Sequence, residues 1–93
     1  MKKLTDDEVR QSLQQLKGWN FERGELVLNC TFKDFVRAMA FVNDVAQLAE
    51  TAGHHPDIDV RYNRVRLALV THDAGGITPN DTALAQKINN LAH

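Results

Sequence analysis

Histidine is the side chain best suited to passing protons near neutral pH, and this 93-residue chain places two of its four histidines side by side. They lie in Glu50-Thr51-Ala52-Gly53-His54-His55-Pro56, where a long apolar run stops, and Tyr62, His72 and Asp81 follow. A Gly just past a helical run and a Pro soon after it are helix-ending signals. Glu50 therefore falls in the last turn of a helix, with His54 and His55 just beyond it. The last carbonyls of a helix carry partial negative charge and Glu50 adds a full one. The two rings thus stand in the negative surroundings that suit general acid–base work.

The rest of the chain must position these groups. Thr5-Asp6-Asp7-Glu8 reads as a capping box, Val9, Leu13 and Leu16 recur at helical spacing, and Gly18 closes a first helix. Trp19 to Glu22 and Glu25 to Thr31 read as two strands around a turn at Arg23-Gly24; Leu26, Leu28 and Cys30 form the buried face of the second. Thr31-Phe32-Lys33-Asp34 reads as the start of a second helix, which runs through Phe35, Val36, Met39, Val42, Val45, Ala46 and Ala49 to Gly53. After Pro56, Ile58, Val60 and Tyr62 alternate with polar residues, as do Val65, Leu67 and Leu69. Asn63 stands at a tight turn, where it tolerates a positive φ. The last strand reaches His72, Asp73 to Gly76 is a loop, and Thr78-Pro79-Asn80-Asp81 opens a third helix with Leu84, Ala85, Ile88 and Leu91 on its apolar face.

The order α-β-β-α-β-β-α predicts an α+β fold, a four-stranded antiparallel sheet covered on one face by three helices, as one domain over residues 1–93. His72 has the parity opposite to Val65, Leu67 and Leu69, so it faces away from the helices at the strand end. His54 and His55 enter the partner strand of the same hairpin. Three imidazoles can converge there, with Arg61, Arg66 and the Gly75-Gly76 loop as a border.

Composition narrows the function. A net charge of -1 supplies no basic field for direct nucleic-acid binding, and the single Cys30 excludes an intrachain disulfide or a multi-cysteine metal site. No stretch is long and apolar enough to span a bilayer, and Thr5-Asp6-Asp7-Glu8 falls where a signal peptide needs its apolar core. A cytoplasmic protein with no membrane partner is expected. Ala38 to Val42 are consecutive apolar residues, which gives the helix over residues 32–52 more apolar surface than a sheet needs. The surplus points to a homodimer or homotetramer through that helix.

The constellation Glu50-x3-His54-His55-Pro56-x5-Tyr62-x9-His72-x8-Asp81 resembles the signature of the pterin-4a-carbinolamine dehydratase family, also known as the dimerisation cofactor of a homeodomain transcription factor. The early Gly18-Trp19 and the element order fit as well. The resemblance implies dehydration of 4a-hydroxytetrahydrobiopterin, or a related 4a-hydroxytetrahydropterin, to quinonoid dihydropterin in tetrahydrobiopterin recycling or related pterin metabolism. Pterin is then the substrate, and neither cofactor nor metal is required. It also implies that His54 and His72 donate protons to the 4a-hydroxyl, that His55 binds the pterin and serves as base, and that Glu50, Pro56, Tyr62 and Asp81 bind or orient.

Plainer roles compete at several positions. Asp81 is explained as a capping residue, Pro56 as a helix stop, Tyr62 as a packed strand aromatic, Glu50 as a solvated last-turn carboxylate and His93 as a surface residue. Two other functions use the same features. One is a protein-binding dimerisation cofactor or coactivator working through the wide helix. The other is a zinc site made from the three histidines, although adjacent residues rarely both reach one ion.

Overall fold

The computed structural model describes residues 1–91; His93 lies outside them. Three α-helices, α1 (Asp6–Leu13), α2 (Phe35–Ala52) and α3 (Pro79–Asn89), cover one face of a sheet built from β1 (Trp19–Glu22), β2 (Glu25–Thr31), β3 (Asp57–Arg61) and β4 (Arg64–Leu69). The strands run antiparallel in the order β1-β2-β4-β3, so the expected α-β-β-α-β-β-α architecture is the one found. Leu26, Leu67, Leu69, Ile77 and Leu84 are fully buried between sheet and helices. Each contributes roughly 1.5–3 kcal/mol by leaving water, more than the ~1 kcal/mol of a helix cap. Burial therefore holds the layers together, and the caps decide where the helices start and stop.

Several boundaries differ from the sequence reading for local reasons. The capping box of α1 forms between Thr5 and Glu8, but the helix ends at Leu13 rather than near Gly18. Tight turns continue from Gln14 to Leu16 and still bury Leu16. The start of α2 is capped by Asp34, not Thr31: Asp34 Oδ1 accepts from the Arg37 N–H at 2.9 Å, whereas Thr31 is the last residue of β2. In the β3–β4 turn the positive φ falls on Tyr62 (54°) rather than Asn63. Asn63 is otherwise engaged, since its side-chain amide donates to the Phe32 carbonyl and its own carbonyl accepts from the Phe32 N–H, each at 2.8 Å. β4 stops at Leu69, so His72 begins a short 3₁₀ turn (His72–Ala74) instead of ending a strand; Thr71 pairs with Gly76 across that turn.

α2 buries Ala38, Phe41, Val45 and Ala49, a single stripe spaced by three and four residues. Its end shows the helix-stop device the sequence announced. Gly53 takes φ 65°, its N–H bonds to the Glu50 carbonyl and the His54 N–H bonds to the Ala49 carbonyl. This paired arrangement is the Schellman motif, and it fixes the backbone at His54.

Candidate active site

The fold brings the C-terminus of α2, the start of β3, the end of β4, the 3₁₀ turn and the N-terminus of α3 to one end of the sheet. His54, His55, His72 and Asp81 all lie there. Asp81 is the centre. It is fully buried, and every one of its described partners donates to it. Its Oδ2 accepts from the Thr71 hydroxyl at 2.8 Å and from the Thr78 N–H at 2.9 Å, while its Oδ1 meets His54 Nε2 at 2.5 Å.

Hydrogen bookkeeping orients this network. The Thr71 hydroxyl has one hydrogen, which goes to Asp81, so the 2.8 Å contact between the two threonine hydroxyls is donated by Thr78. A carboxylate only accepts, so Nε2 of His54 carries a hydrogen and Nδ1 is the position left for proton exchange. The His54 side chain is 15% exposed, enough for one edge of the ring to reach solvent or a bound molecule.

The pair beside it is built differently. His55 Nε2 meets Glu50 Oε2 at 2.6 Å, with side-chain exposures of 63% and 80%. His72 is exposed, and its ring makes no hydrogen bond among the described residues. The three rings share one end of the sheet, but their nitrogens have separate partners: His54 is taken by Asp81 and His55 by Glu50. Among the described residues no group of three or more His, Cys, Asp or Glu is placed to hold a metal ion.

Asp81 has the capping role expected of it and a second contact besides. It forms the α3 capping box with Thr78 and also holds His54, so one carboxylate does both. Pro56 separates His55 from β3, as expected of a helix stop. Tyr62 is 68% exposed in the β3–β4 turn, at the other end of the strands, and so is not a packed strand aromatic. The five residues of β3 separate that turn from the histidine end, a span of about 13 Å at strand rise. Arg61 and Arg66 likewise border a different hollow, which contains none of the histidines. Thr71 and Thr78 were the residues sequence reasoning missed as parts of the site. Thr71 has only its position beside His72 to mark it, and Thr78 its role as a cap.

No helix among the described residues is long and apolar enough to cross a membrane. The family model for pterin 4 alpha carbinolamine dehydratase matches residues 2–91. A protein of Acidobacterium capsulatum, provisionally named a pterin-4-alpha-carbinolamine dehydratase, is 56% identical over 91 residues, which is 98% of this chain and 99% of that one. A protein of Thermomicrobium roseum with the same provisional name is 54% identical over 92 residues, 99% of each chain. The crystal structure of a transcriptional coactivator/pterin dehydratase from Brucella melitensis superposes with a TM-score of 0.90 at 36% identity, covering 95% of this chain and 96% of that one.

Proposed function

The chain belongs to the pterin 4 alpha carbinolamine dehydratase family, and we propose that it converts a 4a-hydroxytetrahydropterin to quinonoid dihydropterin and water by histidine acid–base catalysis. In this reaction the C4a–O bond breaks and the oxygen leaves as water after receiving a proton. The N5 proton is lost, and its electron pair forms the N5=C4a double bond. No electrons are exchanged with a second molecule, so the reaction asks for no redox cofactor.

The observation that carries this reading is a fully buried carboxylate, with two other donors on it, whose remaining oxygen is given to one partly exposed imidazole. Such an arrangement holds His54 in one orientation with Nδ1 free, as a positioned proton donor to the 4a oxygen requires. His72, whose ring is not tied down, is the second donor. His55, tethered to Glu50 at the surface, contacts the pterin and takes the N5 proton. Tetrahydrobiopterin recycling, or a related step of pterin metabolism, is the setting.

We place a homo-oligomer contact on the outer side of α2. Phe35 is 49% exposed and Val36 73% exposed there, and the Tyr62 turn is tied through Asn63 to Phe32 just ahead of that helix. Association would cover all three apolar groups. The same surface would serve a coactivator role, which needs none of the histidines.

The deciding experiment is the rate of 4a-hydroxytetrahydropterin dehydration with wild type and with His54→Ala, His55→Ala and His72→Ala, each checked for folding. Acceleration that falls in the folded variants supports the enzyme. A folded wild type that does not exceed the buffer rate overturns it and leaves α2 as a protein-binding surface.

A further inference from the structure

Where the open face of the sheet reaches the β3–β4 turn, it gathers three arginines. Across it, Arg61 of β3 stands directly opposite Arg64 of β4, and Arg66 lies two residues further along β4. Like charges directly opposite each other on neighbouring strands are destabilising, and the usual relief is an acidic neighbour. Asp59, opposite Arg66, is the acid nearest to them along these strands, yet no ion pair or side-chain hydrogen bond is formed by Arg61, Arg64 or Arg66 among the described residues. β2 places Thr31 opposite Arg64 and Asn29 opposite Arg66, which adds neutral polar groups but no charge.

These side chains surround one hollow of about 400 Å³, lined by Asn29, Thr31, Asp59, Arg61, Arg64 and Arg66. Asp59 is the one acid in it and stands opposite Arg66, so two positive charges remain uncompensated. We propose that this hollow binds the phosphate group of a small phosphorylated molecule, at a site separate from the histidine end. Two spare positive charges match a phosphate dianion. Guanidinium forks grip its oxygens in pairs, and the Asn29 and Thr31 side chains can donate to those remaining. The hollow is also larger than a phosphate group, which leaves room for the rest of the molecule. The binding is independent of the dehydration chemistry.

The test is an NMR titration of the whole chain with inorganic phosphate and, separately, with glycerol 3-phosphate, against sodium chloride at equal ionic strength. Saturable shifts at the amides of Asn29, Thr31, Arg61, Arg64 and Arg66 are expected with both phosphates and not with chloride. The tighter of the two identifies whether free phosphate or a phosphate ester is the fitting source. Replacing two charged donors, Arg61→Gln with Arg64→Gln, should weaken binding by at least ~10-fold. The same variant should unfold at a higher temperature than wild type in chloride and lose that advantage in phosphate, because the repulsion between the two arginines is what the anion relieves. Absence of saturable shifts, shifts centred on His54 and His72 instead, or equal affinity in the folded double variant would each overturn the site. Should the double variant not fold, Arg66→Gln provides the same comparison of affinities.

Discussion

His54 with Asp81 and His55 with Glu50 are the same chemical pair, imidazole on carboxylate, one residue apart in the chain. The first carboxylate is fully buried and takes two further hydrogen bonds; the second is 80% exposed and, among the described residues, takes none besides its histidine. Identical groups therefore do different work. A buried pair fixes the direction of a ring, whereas an exposed pair is screened by water and salt and leaves its ring free to adjust.

Removing the buried partner should have the largest effect. Asp81→Ala leaves the Thr71 hydroxyl, the Thr78 N–H and His54 Nε2 without an acceptor at once. Loss of one partner from such a buried cluster costs about 3–5 kcal/mol, which for a domain of this size lowers Tm by more than ~10 °C. Glu50→Ala should leave Tm nearly unchanged. Thermal unfolding followed by circular dichroism measures both, and equal losses would erase the distinction between the pairs.

The next largest effect belongs to the rings. With the proposed proton donor removed, His54→Ala should lower kcat by roughly 10²–10⁴-fold. His55→Ala should act more on KM, because that ring is held loosely and its proposed role is to bind the pterin as well as to accept a proton. Steady-state kinetics on the two folded variants decides, and the reverse pattern would move the proton donor to the exposed pair.

Much of this contrast could be read in the sequence, and the missing part has a physical cause. The helix stop at Gly53 and the place of both histidines beyond it follow from local backbone rules, and so does the Thr78–Asp81 capping box. Which histidine meets Asp81 depends on how the end of α2 packs against the start of α3, 27 residues away. Local pattern does not carry that. Strand parity served Val65, Leu67 and Leu69 well but misled for His72, because β4 ends at Leu69 and the chain turns before reaching it. Tyr62 went the same way. Alternation placed it in β3, whereas the engagement of Asn63 with Phe32 made Tyr62 a turn residue.

Two variants sharpen the comparison without touching either histidine. Thr71→Val removes one hydrogen bond to Asp81 and leaves Thr78 Oγ1 without its acceptor. Such a bond to a charged group is worth about 1.5–3 kcal/mol, so a loss of about tenfold in kcat is expected if only part of it reaches His54. Thr71→Ser should restore the rate; a serine variant as slow as the valine would mean that methyl packing, not the hydroxyl, is what matters. Gly53→Ala meets no atom within 4 Å but must adopt φ 65°. That conformation costs ~1 kcal/mol or more for a residue with a Cβ, so Tm should fall by about 4–8 °C, with both histidines affected alike.

Glu50→Gln should have the smallest effect, and its form matters more than its size. The amide keeps a hydrogen-bonding oxygen for His55 but removes the charge. An exposed charge acts through water, so its influence should fade as salt shortens the screening length to about 3 Å near 1 M. The rate ratio of wild type to Glu50→Gln should therefore be small in dilute buffer and approach unity in concentrated salt. The effect of Thr71→Val should persist, because its hydrogen bond is shielded from ions. Kinetics of the two variants across a salt series measures this directly. A Glu50→Gln defect that survives high salt would mean that bound substrate covers the Glu50–His55 pair, turning the exposed half of the site into a buried one during the reaction.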